Sequence, residues 1–396
     1  MNKIVLAAAI AASVAAFPPL AEEDSAVDPL LTIWTRDATD YNAFSKVAER
    51  YTKETGIKVK IENQEQSEIK FEKAASRGEG PDIYLWAHDR FGQWANAGLI
   101  APVSPSEEEK AKFFRFFWDA LTMQGKTWGY PISVEAISMI CNRSIIEDKD
   151  VPDSLEDLVK LDDELQKKGI HAIEWDYSQP YYSFPIMASQ GAYVYKKTAT
   201  GYDVNDTGVG NQGARTGLKF IVDLIKQKHI VKGTDYGIMQ DDFVNGRVAC
   251  VFDGPWSWSN YEQAKVDFSV NRLPTLNGQR MKAMVGVLGL IINAHSKKKD
   301  IAIQFIENYV LTDEGMTEMN DRRSLGAFAL KSFQAKSKND PRVNVTMQNA
   351  QDGEPMPSVP QMIKFWSAIQ GAITNSTSGR QDVDAALSTA HQRVLN

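Results

Sequence analysis

Short apolar runs recur along the chain and are bounded by turn residues. Residues 58–62 alternate apolar and charged side chains, a period typical of a half-buried strand. Residues 30–34 and 82–86 are apolar runs that contain β-branched or aromatic residues. A longer run at 284–294 is interrupted by two glycines. These segments predict β-strands, and the glycines predict a bend within the last one.

Other segments repeat apolar residues every three or four positions, the spacing of one helix face. Residues 218–225 and 302–309 show it clearly, and a helix-like stretch at 43–55 ends before a glycine. The sequence Ser104-Pro105-Ser106-Glu107 predicts a helix start capped by Ser104, with proline at the first helical position. Alternating strands and helices predict an α/β protein with mostly parallel sheets.

The first 21 residues have the composition of a secretory signal peptide. Lys3 precedes an unbroken run of apolar and small residues at 4–17, which is shorter than the ~20 residues of a membrane-spanning helix. Small residues at 14–16 and at Ala21 offer cleavage sites. We therefore expect an exported protein whose mature form resides in the periplasm.

The overall charge limits the classes of partner. The chain has 396 residues and a net charge of −7, with 51 acidic against 44 basic residues. Phosphate backbones and anionic membrane surfaces attract basic proteins, so neither nucleic acid nor a membrane surface is expected as a partner. At ~150 residues per domain, the length predicts two or three lobes.

The two cysteines allow two interpretations. Cys141 and Cys250 each lie within an apolar stretch. An oxidising compartment would permit a disulfide between them. Free cysteine also packs as a small buried hydrophobe, and this second interpretation is the one the sequence favours.

Aromatic and polar residues cluster where predicted strands end. The predicted strand at 82–86 ends with Trp86 and is followed by Asp89 and Arg90. Ligands of α/β proteins bind beyond the carboxyl ends of strands. An indole face suits the apolar face of a sugar ring, and Asp and Arg suit its hydroxyl groups. Further aromatic residues follow other strands or prolines: Tyr181, Tyr182, Trp256, Trp258, Phe365 and Trp366.

Signatures of catalysis are weak by comparison. The sequence contains neither a G-x-S-x-G elbow nor a Walker-type phosphate loop. The five histidines are scattered, and none has metal-ligand spacing to another histidine or to a cysteine. No metal and no cofactor are therefore predicted. A glycosidase pair such as Asp89 with Glu135 stays open as an alternative, because it depends on a pKa that a sequence does not reveal.

Longer motifs resemble a known family. From about residue 30 to the C terminus, the chain resembles bacterial maltose- and maltodextrin-binding proteins, the solute-binding components of ABC sugar importers. The resemblance rests on Gly80-Pro81-Asp82-Ile83, Trp86-Ala87-His88-Asp89-Arg90-Phe91, Tyr130-Pro131-Ile132-Ser133-Val134-Glu135-Ala136, Gly254-Pro255-Trp256-Ser257-Trp258, Leu311-Thr312-Asp313-Glu314-Gly315, Phe365-Trp366 and Ser378-Gly379-Arg380-Gln381.

The resemblance implies two α/β lobes with a ligand cleft between them. Each lobe is built from discontinuous segments, and the chain closes around its ligand by a hinge motion. The implied first lobe comprises residues 28–133 and 290–338, and the second comprises 137–284 and 342–396. The implied hinges lie near 134–136, 285–289 and 338–342. Gly286 suits a hinge because glycine absorbs backbone changes without a Cβ clash.

The resemblance also implies which residues contact sugar. Trp256, Trp366 and Tyr181 would stack on rings, and the remaining positions would line the pocket or hydrogen-bond hydroxyls. These positions are Trp86, Ala87, Glu68, Asp89, Arg90, Glu135, Pro180, Tyr236 and Met356.

Several positions depart from the family pattern. The family's Asp and Lys after the first strand fall on Ala38 and Thr39, with Arg36 or Asp37 as potential substitutes. Other departures replace a charged or aromatic residue by an uncharged polar one, at Gln179, Ser367 and Gln370. Each lost charge-assisted hydrogen bond would cost about 1.5–3 kcal/mol if nothing replaces it. The preferred sugar is therefore expected to be a maltodextrin or a related α-glucoside.

The implied function is capture and delivery without catalysis. A monomeric protein would hold the sugar in the closed cleft and dock on an inner-membrane ABC permease, with a chemoreceptor as a further partner. The alternatives are a binding protein for another oligosaccharide or solute, and a secreted glycoside hydrolase.

Overall fold

The computed structural model describes residues 30–36, 38–198, 201–321 and 324–396. The predicted signal peptide at 1–21 and the candidate residue Asp37 lie outside these ranges, as does the side chain of Thr39. The strands are β1 (Leu30–Thr35), β2 (Lys58–Asn63), β3 (Ile83–Ala87), β4 (Ile100–Ala101), β5 (Thr122–Met123), β6 (Lys126–Thr127), β7 (Tyr130–Glu135), β8 (Ser138–Asn142), β9 (His171–Glu174), β10 (Lys196–Thr198), β11 (Gly201–Asp203), β12 (Val248–Asp253), β13 (Phe268–Asn271), β14 (Thr275–Leu276), β15 (Gln279–Arg280), β16 (Met284–Asn293), β17 (Ala327–Phe328) and β18 (Glu354–Pro355). The helices are α1 (Ala38–Thr55), α2 (Ser67–Ala75), α3 (Phe91–Asn96), α4 (Glu107–Ala111), α5 (Arg115–Leu121), α6 (Leu155–Leu165), α7 (Pro180–Ser189), α8 (Gln212–Lys226), α9 (Tyr236–Val244), α10 (Trp258–Gln263), α11 (Lys299–Phe305), α12 (Asp313–Asn320), α13 (Lys331–Lys336), α14 (Pro341–Asp352), α15 (Met362–Thr377) and α16 (Val383–Leu395).

The larger sheet has the strand order β17-β7-β16-β3-β1-β2, with β4 and β18 also paired to β16. Its centre is β16, whose ten residues are all buried. The register of β16 against β7 shifts between Leu288 and Gly289. A bulge bends and twists a strand, so the predicted bend is confirmed and lies at the second of the two glycines.

The smaller sheet has the order β13-β8-β12-β9, and helices α6, α9 and α14 pack on it. The α/β class is confirmed, but the expectation of mostly parallel sheets is wrong. In the smaller sheet β12 is parallel to β9 but antiparallel to β8. In the larger sheet β16 runs antiparallel to both β3 and β7. Helix–strand alternation does not reveal the direction of a strand that arrives from the other sheet.

The two cysteines form a disulfide that joins β8 to β12. Cys141 and Cys250 occupy directly paired positions of the two antiparallel strands, with Cα atoms 4.1 Å apart. The favoured interpretation of two unpaired buried thiols is therefore wrong. Pairing depends on the register between strands 109 residues apart in sequence, which neither flanking apolar stretch reveals.

Most predicted helices are confirmed, including α1, α8 and α11, although one helix start is displaced. Helix α4 is capped by Ser106, whose hydroxyl accepts a hydrogen bond from the Glu109 amide at 3.0 Å, so the prediction of Ser104 as cap is wrong. The observed start places three glutamates in the first turn, where the positive end of the helix dipole favours them. Within the described ranges, no helix combines the length and apolar character needed to traverse a bilayer.

One buried carboxyl group in the smaller sheet carries an energetic cost. Glu174, the last residue of β9, is fully buried. Burial, reinforced by repulsion from Asp242, raises the pKa of Glu174 from an ordinary 4.5 to about 8. Between these two values the unfolded chain releases a proton that the folded chain retains. Stability therefore falls as the pH rises through this interval.

We expect Glu174→Met to stabilise the protein by about 3 kcal/mol near pH 8, because methionine fills the site without a group to ionise. The gain should shrink toward pH 4.5, where the carboxyl group of the unfolded chain is itself half protonated. Urea unfolding at several pH values measures this difference. The exposed Glu164→Met is the matched control. An equal response of both variants at every pH would contradict the expectation.

Candidate functional site

The end of β3 leads into a short 3-10 turn, His88–Arg90, that is fixed from both sides. The Val287 amide donates to His88 Nδ1 at 2.9 Å, so Nε2 carries the proton and donates to the Met356 carbonyl, also at 2.9 Å. Burial lowers the pKa of His88 to about 4, and the ring stays neutral near pH 7. A neutral, doubly bonded imidazole therefore holds the turn that carries Asp89 and Arg90.

Asp89 accepts a hydrogen bond from a helix near the C terminus, α15. The Trp366 indole N–H on α15 donates to Asp89 Oδ2 at 3.1 Å. Burial raises the pKa of Asp89 to about 6, against the opposing effect of Arg90. Because α15 packs with α7 and α8, which lie in the chain between strands of the smaller sheet, and Asp89 follows a strand of the larger one, this hydrogen bond joins the parts of the molecule built on the two sheets. We call the residues on either side of this contact the two rims of the candidate cleft.

Arg36, at the end of β1, connects two carboxylates beside the same cleft. Its two terminal nitrogens donate to both oxygens of Glu135 at 3.0 and 2.9 Å, and its Nε donates to Asp40 at 2.9 Å. Burial would lower the pKa of Arg36, but Asp40 and Glu135 outweigh it and raise the pKa above its ordinary value. A bidentate pair of this kind is among the stronger ionic contacts in proteins. Arg36 thus places a cation beside Glu135, and its substitution for the cation that the family pattern has at Thr39 stays a prediction.

Four aromatic rings from α7, α9 and the turn after β12 form a cluster on the other rim. The Trp256 and Tyr181 rings lie 6.0 Å apart, and the Tyr182 and Tyr236 rings are stacked at 6.2 Å. Tyr181 and Tyr182 meet edge to face at 5.5 Å. Trp256 is half-buried, so part of its ring stays available to a ligand.

Charged groups from both sheets act on one phenol, that of Tyr181. The hydroxyl of Tyr181 is acted on by Glu135, Arg36 and Asp89 from the larger sheet's side and by Asp253 from the smaller. Burial is the main cause that raises the pKa of Tyr181 above its ordinary value, so this phenol remains a neutral donor and acceptor. A polyhydroxylated ring between the rims would meet both carboxylates and aromatic faces.

Four other predicted residues lie at or near the end of β3: Trp86, Ala87, Glu68 and Met356. The ring of Trp86 stacks on Tyr84 at 5.7 Å, and Glu68 acts electrostatically on Asp89. Met356 and Ala87 both lie beside Gly286. A Cβ placed on Gly286 would lie 3.0 Å from the Met356 methyl group and 3.8 Å from Ala87 Cβ.

Four further predicted residues lie at the start of α7 or on α15. Pro180 is buried at the first position of α7, where its missing N–H costs nothing. Gln179, Ser367 and Gln370 are exposed, and the Ser367 hydroxyl donates to the Lys364 carbonyl of its own helix at 3.1 Å. The structure thus places these three departures at the protein surface, and their roles in binding stay predictions.

Sequence reasoning did not identify the buried polar residues beneath the cleft. Asp253 ends β12 and accepts a hydrogen bond from the Tyr261 hydroxyl at 2.6 Å. Asp40 and His88 were also missed as supports. The sequence signal for Asp253 is its position at the end of an apolar run, directly before Gly254-Pro255. Buried charges are rare unless paired, so a carboxylate at such a position is expected to have a hydrogen-bond partner.

The arrangement suits reversible binding of a neutral polar molecule. Among the described residues, no group of three or more His, Cys, Asp or Glu side chains is placed to hold a metal ion. Charged groups occur as pairs, Arg36 with Glu135 and Asp89 next to Arg90, flanked by aromatic faces. Stacking surfaces beside hydroxyl-binding groups are the recognition chemistry expected for carbohydrate rings.

Comparisons with known proteins agree with this arrangement. The family described as bacterial extracellular solute-binding protein matches residues 36–317. The galactooligosaccharide-binding protein of Bacillus subtilis is 25% identical over 411 residues, covering 98% of this chain and 96% of that protein. The maltotriose-binding protein of Pyrococcus abyssi is 26% identical over 380 residues, covering 92% and 82%. The maltodextrin-binding protein of Bacillus subtilis is 24% identical over 327 residues, covering 79% and 76%.

Proposed function

The chain belongs to the family of bacterial extracellular solute-binding proteins, and from this premise we propose that it captures a maltodextrin in the interlobe cleft and delivers it to an ABC importer. The observation that carries the proposal is that the Tyr181 ring lies 6.0 Å from that of Trp256 and is acted on by the charges of Glu135, Arg36 and Asp89. Relatives named for maltodextrin and maltotriose support this choice of sugar.

The proposed mechanism is closure around the ligand. An open form would expose two half-sites, one aromatic and one rich in carboxylates. A sugar that satisfies both favours the closed form, because only closure completes both sets of contacts. We propose hinges near 134–136, 285–289 and 338–342, between lobes formed by 28–133 with 290–338 and by 137–284 with 342–396. Proposed with them are cleavage of the signal peptide, a monomeric mature form in the periplasm, a permease as partner and a chemoreceptor as a further one.

A different oligosaccharide is the second candidate, and one contact favours it. Both oxygens of Glu135 accept hydrogen bonds from Arg36, so this carboxylate has less capacity left for sugar hydroxyls than the family pattern implies. The relative that spans nearly the whole chain is named for galactooligosaccharide. A change in the preferred sugar is therefore compatible with the same cleft and the same closure.

The proposal is tested by titrating the mature protein with maltose, maltotriose, longer maltodextrins, trehalose, sucrose and galactooligosaccharides while recording tryptophan fluorescence. We expect a saturable change with a maltodextrin, because a stacked sugar alters the surroundings of Trp256 and Trp366 directly. Saturation by galactooligosaccharides alone would overturn the choice of sugar but keep the carrier role. No saturation with any of these sugars would overturn capture of oligosaccharides.

The hydrolase alternative retains one supporting observation, the raised pKa of Asp89, which a general acid requires. Against it, Asp89 accepts a hydrogen bond from Trp366, and Glu135 is bound to Arg36. We propose that bound maltotriose is released intact. Chromatography after prolonged incubation decides between the two, because appearance of glucose or maltose would establish hydrolysis.

A further inference from the structure

Asp253 is a fully buried carboxylate directly beneath the aromatic rim of the cleft. It ends β12 and precedes the turn that carries Trp256. Its Oδ1 accepts from the Gly254 amide at 2.8 Å, and its Oδ2 accepts from the Tyr261 hydroxyl at 2.6 Å. The Tyr236 hydroxyl lies 3.3 and 3.4 Å from the two oxygens. One carboxylate is therefore shared by donors from three elements.

The chemistry of these groups fixes the direction of each hydrogen bond. A carboxylate only accepts, so the Tyr236 hydroxyl proton must point at Asp253. The Tyr236 oxygen is then left as an acceptor, and Gln240 Nε2 donates to it at 2.8 Å. The Trp256 indole lies close enough to the Tyr236 hydroxyl to act on the pKa of Tyr236. Asp253 thus orients a tyrosine hydroxyl that lies beside the Trp256 indole.

The backbone beneath Trp256 is tied to the same carboxylate. The six-membered part of the Trp256 ring lies against Gly254, where an added Cβ would come within 2.6 Å of three ring carbons. Gly254 donates its amide to Asp253 and accepts the Ser257 hydroxyl at 2.8 Å. The indole consequently packs against a backbone segment whose amide is held by Asp253.

We propose that Asp253 is a positioning residue for sugar binding, which sets the orientation of the Trp256 stacking face through Tyr236 and the Gly254 amide. The inference rests on the proposed function for its ligand, an oligosaccharide that stacks on Trp256. Asp253 itself is inaccessible to the ligand, so its contribution reaches the sugar only through these two neighbours.

Proton uptake by Asp253 changes this network in a defined way. Burial raises the pKa of Asp253 to about 6. A protonated oxygen becomes a donor, and the longest of its contacts, to Tyr236, is released first. The ionised form therefore binds sugar more tightly, and affinity falls as the pH drops through this range. The titratable groups that face Asp253 are the tyrosines at 181, 182, 236 and 261, which remain neutral throughout, with Asp176 beyond Tyr182.

Asp89 has its own pKa of about 6 at the cleft, so the experiment compares variants rather than reading one curve. The isosteric Asp253→Asn cannot accept at both side-chain positions, and we expect it to raise the Kd about tenfold near pH 7.5. The ratio of Kd at pH 5 to Kd at pH 7.5 should be smaller in this variant than in the wild type. Glu174→Gln is the control, a buried carboxyl group of the same sheet whose charged neighbours are Asp242, His171 and Arg247. Its Kd should match the wild type.

A double-mutant cycle with Tyr236→Phe separates positioning from a merely structural effect. If Asp253 acts in part through Tyr236, the two substitutions together should raise the Kd by less than the product of their separate factors. The proposal is overturned if the double variant raises the Kd by the full product of the two single factors. It is also overturned if Asp253→Asn changes neither the Kd nor the ratio of Kd at pH 5 to Kd at pH 7.5. Should Asp253→Asn fail to fold, a reduced pH ratio in Tyr236→Phe alone supports the proposal, and an unchanged ratio overturns it.

A sugar-free measurement keeps this inference distinguishable from the proposed function. The emission of Trp256, obtained as the difference between wild type and Trp256→Phe, should change with an inflection near pH 6 that Asp253→Asn abolishes. This outcome is expected even if none of the tested sugars binds, in which case only the proposed function fails. A flat difference signal across this range would overturn the coupling between Asp253 and Trp256.

Discussion

Replacing Trp256 by alanine is expected to raise the Kd for the bound oligosaccharide about a hundredfold, because a central aromatic anchor typically contributes more than 2 kcal/mol to binding. The ring is half-buried, lies against Gly254 and packs 6.0 Å from Tyr181. It is therefore already held in place before a ligand arrives, and little entropy is lost when a sugar stacks on it. Isothermal titration calorimetry measures the change.

Trp128→Ala provides the matched control for this substitution. Trp128 is also a half-buried indole, but its N–H donates to the Met123 carbonyl beside the β5–β6 hairpin. The Kd of the Trp128→Ala variant should stay within about twofold of the wild-type value, because truncation of a side chain far from the ligand rarely changes the binding free energy. A loss of affinity that is equal in both variants would mean that the loss reflects a general disturbance of the fold rather than loss of a stacking surface.

Removing the disulfide with Cys141→Ala and Cys250→Ala together is expected to lower the free energy of unfolding by about 4 kcal/mol. The bond closes a segment of 109 residues, and long closed segments restrict the unfolded chain most. It also joins the two central strands of the smaller sheet. Urea unfolding under oxidising conditions measures the difference, and a thiol assay of the denatured wild type should detect no free cysteine.

Reduction of the wild type separates the bond from the volume of the side chains. Addition of a reductant should lower the stability of the wild type toward that of the double variant and leave the variant unchanged. If the reductant has no effect on unfolding, or if the denatured wild type yields two free thiols, the disulfide does not stabilise the protein as argued. In the variant, the small cavities left at two fully buried positions add a further cost.

Patterns within one segment were predicted well from the sequence, and contacts between distant segments were not. The glycine-interrupted run at 284–294 predicted a bent strand, which β16 confirms. The parallel or antiparallel direction of that strand depends on where the chain re-enters the sheet, so periodicity carried no information about it. For the same reason, the sequence did not reveal the pairing of Cys141 with Cys250, which depends on the register of two distant strands.

The candidate site shows the same division. The structure brings Trp366 into hydrogen-bond contact with Asp89 and Trp256 beside Tyr181, and the binding roles that the family motifs imply for these residues and for Trp86 stay predictions. Arg36 was only one of two potential substitutes, because a gapless match says nothing about the reach of a long side chain. Its guanidinium spans to Glu135, ninety-nine residues away in sequence, and geometry alone reveals this.

The interleaving of the two sheets also governs the order in which they can form. All four strands of the smaller sheet lie between residues 138 and 271, whereas the central strand of the larger sheet begins only at Met284. A growing chain therefore completes the smaller sheet while β3 and β7 still lack the strand that separates them. Long-range strand pairing is slow because loop closure must precede it. The N-terminal part of the protein is thus expected to be the last to reach its native structure.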